Sequence, residues 1–147
     1  MRRYLFILLL FLVSCDTQTQ MEKDTQLIQN YLSSNGLEAI QDESGLFYIE
    51  QTPGTGLFSP TVEDTIVVKY TGYLLNGVYF DKTEEGSTDT FALSKLVEGW
   101  QIGVPMMTRG SVNKLLIPSE LGYGSTEKGI IPANSVIIFD VELVDFY

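Results

Sequence analysis

The chain has one thiol, Cys15, and no histidine, so the chemistry open to it is narrow. The lack of histidine excludes Ser-His-Asp and Cys-His catalysis and the usual metal sites that rely on imidazole. A single cysteine allows no internal disulfide. Cys15 closes a ten-residue apolar run, Tyr4 to Val13, that follows Met1-Arg2-Arg3. A membrane-crossing helix needs about 20 apolar residues, so a shorter run behind a basic start reads as a signal-peptide core. Any chemistry further along the chain must work without the common nucleophiles and bases.

Leu12-Val13-Ser14-Cys15 resembles the lipobox of bacterial lipoproteins. There the thiol accepts a diacylglyceryl group, and a small residue before it admits the peptidase. The alternative is an ordinary signal peptide with an incidental cysteine. The resemblance implies a signal peptide over 1–14, a lipidated Cys15 opening a polar tether over 15–23, and a chain anchored to a membrane of a bacterial cell envelope. The whole chain carries 19 acidic and 9 basic residues, for a formal charge of −10. Removal of Arg2 and Arg3 takes it to about −12. Such a surface repels phosphate backbones, so no nucleic-acid partner is expected.

The elements that must position any site come next. Asp24 is a candidate N-cap for a helix carrying Leu27, Ile28, Tyr31 and Leu32, stopped by Asn35-Gly36. This helical segment, 24–44, is short enough to need a docking surface, on the domain or on a second chain. From 45 to 147 the pattern is mostly period two. Strands are predicted at Gly45–Glu50, Thr65–Tyr73, Val78–Phe80, Ser111–Ile117 and Val136–Phe146. Ile66, Val68 and Tyr70 share one face, as do Ile137, Phe139, Val141 and Leu143. Asn76-Gly77 marks a turn, and bringing Phe80 beside Tyr70 requires a longer turn or a bulge, with Gly72 the candidate position. Ser94 is a candidate cap for a short helix through Val97, Trp100 and Ile102. The sum is an α+β domain: an antiparallel sheet of about five strands wrapped around a short helix, with an extra N-terminal helix.

Six phrases follow in order: VVKYTGYL at 67–74, GVYFD at 77–81, VEGW at 97–100, LGYG at 121–124, GIIPAN at 129–134 and FDVEL at 139–143. Together they closely resemble the FKBP family of peptidyl-prolyl cis/trans isomerases, from about Gly45 to Val144. The resemblance implies an envelope foldase that acts on proline-containing polypeptides, requires no cofactor or metal, and offers a macrolide-inhibitor site. It also implies a pocket. Trp100 forms its floor, and Tyr70, Phe80 and Phe139 its aromatic walls. Leu96 and Val97 line it. The Tyr123 hydroxyl and the Ile131 backbone N–H meet substrate carbonyls. Asp81 stands at the rim, orienting the pocket or facing the twisting carbonyl. Taken singly, Trp100 and Phe139 also fit ordinary core positions, and Tyr70 and Tyr123 fit buried tyrosines with satisfied hydroxyls.

The chain departs from the family pattern in several places. Between Asp81 and Phe91 there is no arginine to pair with Asp81. Asp89 falls where many members carry an aromatic residue. Leu96-Val97 replaces a commoner Val-Ile pair, and 125–128 is slightly short. These changes bear on substrate choice and macrolide affinity. A second function class, a proline-binding chaperone or assembly module with little catalysis, also fits the loop and the extra helix.

Overall fold

The computed structural model describes residues 17–147, so the apolar leader and Cys15 lie outside the described residues. The elements in chain order are α1 (Gln20–Asn35), β1 (Ile40–Gln41), β2 (Phe47–Thr52), β3 (Thr65–Leu74), β4 (Tyr79–Lys82), β5 (Asp89–Ala92), α2 (Glu98–Gly103), β6 (Val112–Ile117) and β7 (Ile137–Phe146). Short 3-10 turns occupy Leu93–Lys95, Val104–Met106 and Ser119–Leu121. The strands form one antiparallel sheet in the order β1-β2-β6-β7-β3-β4, with β5 also on β3. Among the described residues the sheet therefore has seven strands rather than the five expected. The additions are β1, a two-residue exposed strand, and β5, whose only large apolar residue is Phe91. Neither is long enough to show a period-two signal.

β3 organises the sheet. One edge pairs with β7 from Ile66 to Leu74, while the other is shared by β5 at Thr65–Val68 and β4 at Thr71–Tyr73. Between these two short partners Thr83 clips the connecting loop to β3. Its Oγ1 accepts the Tyr70 N–H at 3.1 Å, and its own N–H donates to the Tyr70 carbonyl at 3.0 Å. The β3–β4 hairpin resolves the register problem with both a longer turn and a bulge, the bulge lying on β4 opposite Gly72–Tyr73 rather than at Gly72 itself. Its loop is three residues long, Leu75–Gly77, closed by the Leu74 N–H on the Val78 carbonyl at 3.0 Å. Tyr73 then faces Tyr79, and Gly72 faces Asp81, so Phe80 is the extra bulged residue.

Period-two alternation sends β6 and β7 side chains to two cores. Leu115, Ile117, Phe139 and Val141 join Trp100 of α2 on the inner face. Leu116 and Ile138 pack with Ile28 and Leu32 of α1 on the outer face. At six residues α2 cannot stand alone. Gly99 and Gly103, one turn apart, let it approach β6 closely. A Cβ on Gly99 would stand 2.6 Å from Ile117 Cγ2, and one on Gly103 would stand 2.7 Å from Leu115 Cδ2. The cap expected at Ser94 is not formed. Ser94 lies in a 3-10 turn, and Val97 is the N-cap, without a side-chain bond.

α1 packs on the outer face of its own domain and starts earlier than expected. Thr19, not Asp24, is its N-cap, in a capping box with Glu22: Thr19 Oγ1 accepts the Glu22 N–H at 3.2 Å, and Glu22 Oε2 accepts the Thr19 N–H at 2.8 Å. Its first turn carries Met21 as its one large apolar residue, which is why residues 20–23 read as tether. Asp24 lies inside the helix and is fully buried. Among the described residues no helix is long and apolar enough to cross a membrane.

Candidate active site

The inner face carries an apolar pocket of about 110 Å³ lined by Tyr70, Asp81, Phe91, Leu96, Val97, Trp100, Tyr123 and Phe139. β3 supplies Tyr70, β7 supplies Phe139, and α2 brings Trp100 up from below. The rings meet edge to face: Tyr70 and Trp100 with centroids 5.5 Å apart, Trp100 and Phe139 at 5.2 Å, Phe80 and Phe139 at 5.5 Å. Such pairs contribute about 0.5–1.5 kcal/mol each beyond their buried area. Perpendicular rings also keep the walls apart instead of collapsing them. Gly72 makes room for two of them, since a Cβ there would stand 2.6 Å from the Phe80 ring and 2.7 Å from the Phe139 ring.

Seven of the nine residues proposed from sequence surround this pocket. Phe80 and Ile131 stand one step away. With Asp81, Tyr123, Lys128, Gly129 and Ile130 they line an adjoining groove that shares Asp81 and Tyr123 with the pocket. Sequence reasoning missed Phe91, whose ring packs 6.0 Å from that of Tyr70. Only the pairing places it there: in β5, Asp89 pairs with Val68 and Phe91 with Ile66, so both project to the inner face. The aromatic wall expected at Asp89 is supplied two residues later, with Asp89 beside it.

The polar groups divide into tied and free. Tyr70 donates its hydroxyl to Asp81 Oδ2 at 2.7 Å, and Asp81 Oδ1 accepts the Lys82 N–H at 2.9 Å. Asp81 is thus oriented without an arginine. Burial, with help from the Asp81 and Asp89 charges, pushes the Tyr70 hydroxyl well above the ordinary tyrosine range. Tyr123 is raised in the same sense, first by burial and then by Asp81. Its hydroxyl makes no hydrogen bond among the described residues, so it is a neutral donor with nothing to donate to. The Ile131 N–H, expected to be available, is engaged. It donates to the Lys128 carbonyl at 2.9 Å, and the Lys128 N–H donates back to the Ile131 carbonyl at 3.0 Å. The Val97 N–H, by contrast, has no acceptor among the described residues, because Val97 sits at the helix N-cap. Among the described residues no three His, Cys, Asp or Glu side chains are grouped to hold a metal.

The fold and site thus define an α+β domain with a ring-sized aromatic pocket between an antiparallel sheet and a short helix, furnished with hydrogen-bond donors rather than a nucleophile. The chain belongs to the FKBP-type peptidyl-prolyl cis-trans isomerase family, whose profile matches residues 58–144. It is 39% identical over 135 residues to the FKBP-type peptidyl-prolyl cis-trans isomerase FkpA of Aeromonas hydrophila, covering 86% of this chain and 50% of that one. It is 34% identical over 142 residues to FkpA of Escherichia coli, covering 90% and 52%. The chain therefore spans about half the length of these curated relatives. The crystal structure of Escherichia coli FkpA superposes with a TM-score of 0.74 at 34% identity, over 86% of this chain and 62% of that one. A peptidyl-prolyl cis-trans isomerase from Pseudomonas syringae pv. tomato superposes at 0.72 with 26% identity, over 88% and 98%.

Proposed function

We propose that this chain catalyses cis/trans isomerisation of X–Pro bonds in polypeptides of a bacterial envelope. The observation that carries the reading is the pairing of an apolar, ring-lined pocket with the unpartnered Tyr123 hydroxyl at its edge. Resonance gives the peptide bond a rotational barrier of ~18–20 kcal/mol. At half rotation that resonance is lost and the imide becomes less polar, so an apolar pocket favours the twisted form over the planar one. Trp100, Phe139, Tyr70 and Phe91 would enclose the proline ring. Tyr123 would hold one substrate carbonyl. The free Val97 N–H would hold another, in place of Ile131, whose N–H is spent on Lys128. Asp81, fixed by Tyr70 and Lys82, would set the rim's orientation and potential. No step requires a cofactor, and proline is the fitting substrate because both its isomers are populated.

Asp81 and Asp89 give the rim an acidic character that favours basic residues beside the substrate proline. One experiment addresses activity and preference together. Isomerisation of Lys-flanked and Glu-flanked X–Pro peptides is followed without a coupling protease, for the full chain and for Phe80→Ala and Trp100→Leu. We expect turnover above the solvent rate, loss of about tenfold or more in each variant as the proline ring loses its positioning contacts, and a Lys preference that fades at high salt. A wild-type rate equal to solvent would remove the enzyme reading. Peptide binding retained in that case would leave a proline-binding assembly module. Equal rates on the two peptides would remove the charge preference alone. The same pocket is the proposed macrolide site, its affinity set by Leu96, Val97 and the arginine-free rim.

We also propose that Cys15 carries the lipid. Because α1 begins at Gln20, only residues 16–19 would separate the anchor from the folded domain, a reach of about 14 Å at most rather than a loose tether. Cys15→Ser should move the protein out of the membrane fraction and abolish palmitate labelling; a membrane-bound, labelled variant would exclude the anchor.

A further inference from the structure

α1 carries a buried carboxylate. Asp24 is fully buried, as is Ser119 across the domain. Asp24 Oδ2 accepts two bonds from that one residue, the Ser119 N–H at 2.7 Å and the Ser119 hydroxyl at 2.5 Å. The other oxygen, Oδ1, accepts from Gln20 Nε2 at 2.7 Å, which fixes the carboxylate on its own helix. The remaining polar group of Ser119, its carbonyl, accepts the N–H of Gly122 at 3.0 Å and of Gly124 at 2.7 Å. Those two amides flank Tyr123. Every polar group of Ser119 is therefore used, two toward α1 and one toward the backbone on either side of the free tyrosine hydroxyl.

We propose that Asp24 is a positioning residue for the pocket, acting through Ser119 to set where the Tyr123 hydroxyl stands. α1 lies outside residues 58–144, the stretch that matches the family profile, so the inference gives the N-terminal helix a place in this chain's site. The physical case is one of connectivity. Loss of the carboxylate strands a buried N–H and a buried hydroxyl together, and a buried donor without an acceptor drives local rearrangement. Ser119 cannot move without taking the carbonyl that holds Gly122 and Gly124. A displacement of about 1 Å at a substrate-positioning group is enough to cost up to about 10²-fold in rate. The inference rests on the isomerase reading for its effect on turnover but not for its effect on the Tyr123 turn.

The test is a double-mutant cycle in the full chain, read by two methods. Asp24→Ala is expected to lower kcat/KM on an X–Pro peptide about tenfold. On a Tyr123→Phe background, where the hydroxyl is already gone, the same change should cost less than about twofold. Hydrogen exchange should quicken at the Gly122 and Gly124 amides and stay unchanged at Leu115 and Val141 in the sheet. Asp24→Asn keeps one acceptor oxygen and should restore most of both readouts. If Asp24→Ala does not fold, Ser119→Ala, which removes one of the two donors to Asp24, carries the same cycle with a smaller loss. An equal loss on both backgrounds, or unchanged exchange at Gly122 and Gly124, overturns the proposal. Wild-type turnover at the solvent rate would remove the isomerase reading, and the exchange measurement, which needs no turnover, would still decide the role of Asp24.

Discussion

The two faces of one sheet have been filled in opposite ways. On the outer face the sixteen-residue α1 lays Ile28 and Leu32 over Phe47, Leu116 and Ile138, and these side chains interdigitate into a closed core. On the inner face the six-residue α2 packs with buried Leu115, Ile117, Val141 and Leu143, and beside that core a pocket is walled by rings standing perpendicular to one another. Both faces use β6 and β7, often neighbouring residues: Ile138 serves the outer core and Phe139 the pocket. Aliphatic side chains adapt to fill gaps, whereas rigid rings meeting edge to face hold a concavity open at little conformational-entropy cost. The same strands thus build a closed core on one side and, on the other, a larger core with a site opening beside it.

That contrast breaks most sharply at Ile138. Ile138→Ala should cost about 2–5 kcal/mol in denaturant unfolding, with kcat/KM per folded molecule unchanged. A matching loss of activity would show that the faces are not separable there. Gly99→Ala tests the junction between them. Its added methyl would meet buried Ile117 at 2.6 Å, so α2 must move outward with Trp100. Overpacking of this kind should cost about 1–3 kcal/mol and, unlike Ile138→Ala, lower activity as well. Unchanged activity would mean that Trp100 does not depend on how closely α2 sits on β6.

The smallest effect should appear in pH, and it should be common to both faces. Tyr70 and Tyr123 inside and Tyr73 outside all hold their protons more tightly in the fold than the ordinary value of 10.0, chiefly because of burial. For Tyr73 the second cause is the charge of Asp140, which also accepts its hydroxyl at 3.0 Å. The folded state therefore binds more protons than the unfolded chain above that value. Their stabilisation is complete below pH 10 and is lost as pH rises from there through the elevated folded-state values. Melting temperature should be level from neutral pH to about pH 9 and decline above about pH 10. Tyr73→Phe should soften the decline by removing the outer contribution. A decline already complete by pH 9 would contradict the assignment.

How legible each part was depended on how local its signal is. Long strands were readable because ten residues of β3 or β7 repeat the period-two pattern several times. β5 was not, since four residues with a single ring carry almost no periodicity, and Phe91 was missed with it. The α1 start was readable in principle from Thr19-x-x-Glu22 but was masked by a polar first turn. Asp24 illustrates the opposite failure. A carboxylate near a helix start suggests a cap, and only the approach of Ser119, 95 residues away in sequence, makes it a buried acceptor instead. The Ile131 N–H reads as a free donor until its bridge to Lys128 is seen.

By itself the sequence determined the family, the antiparallel α+β domain, seven of the pocket's eight lining residues and the absence of a histidine-based mechanism. The domain follows from short-range periodicity and the missing imidazole from residue type. The family and the pocket residues follow from the resemblance of six ordered phrases to the FKBP family; all are readable along the chain. Tertiary structure alone decided which donors are free, which ring completes the wall, and that the N-terminal helix reaches the site through Ser119. Those depend on groups far apart in sequence meeting within hydrogen-bond distance, and no local pattern records such a meeting.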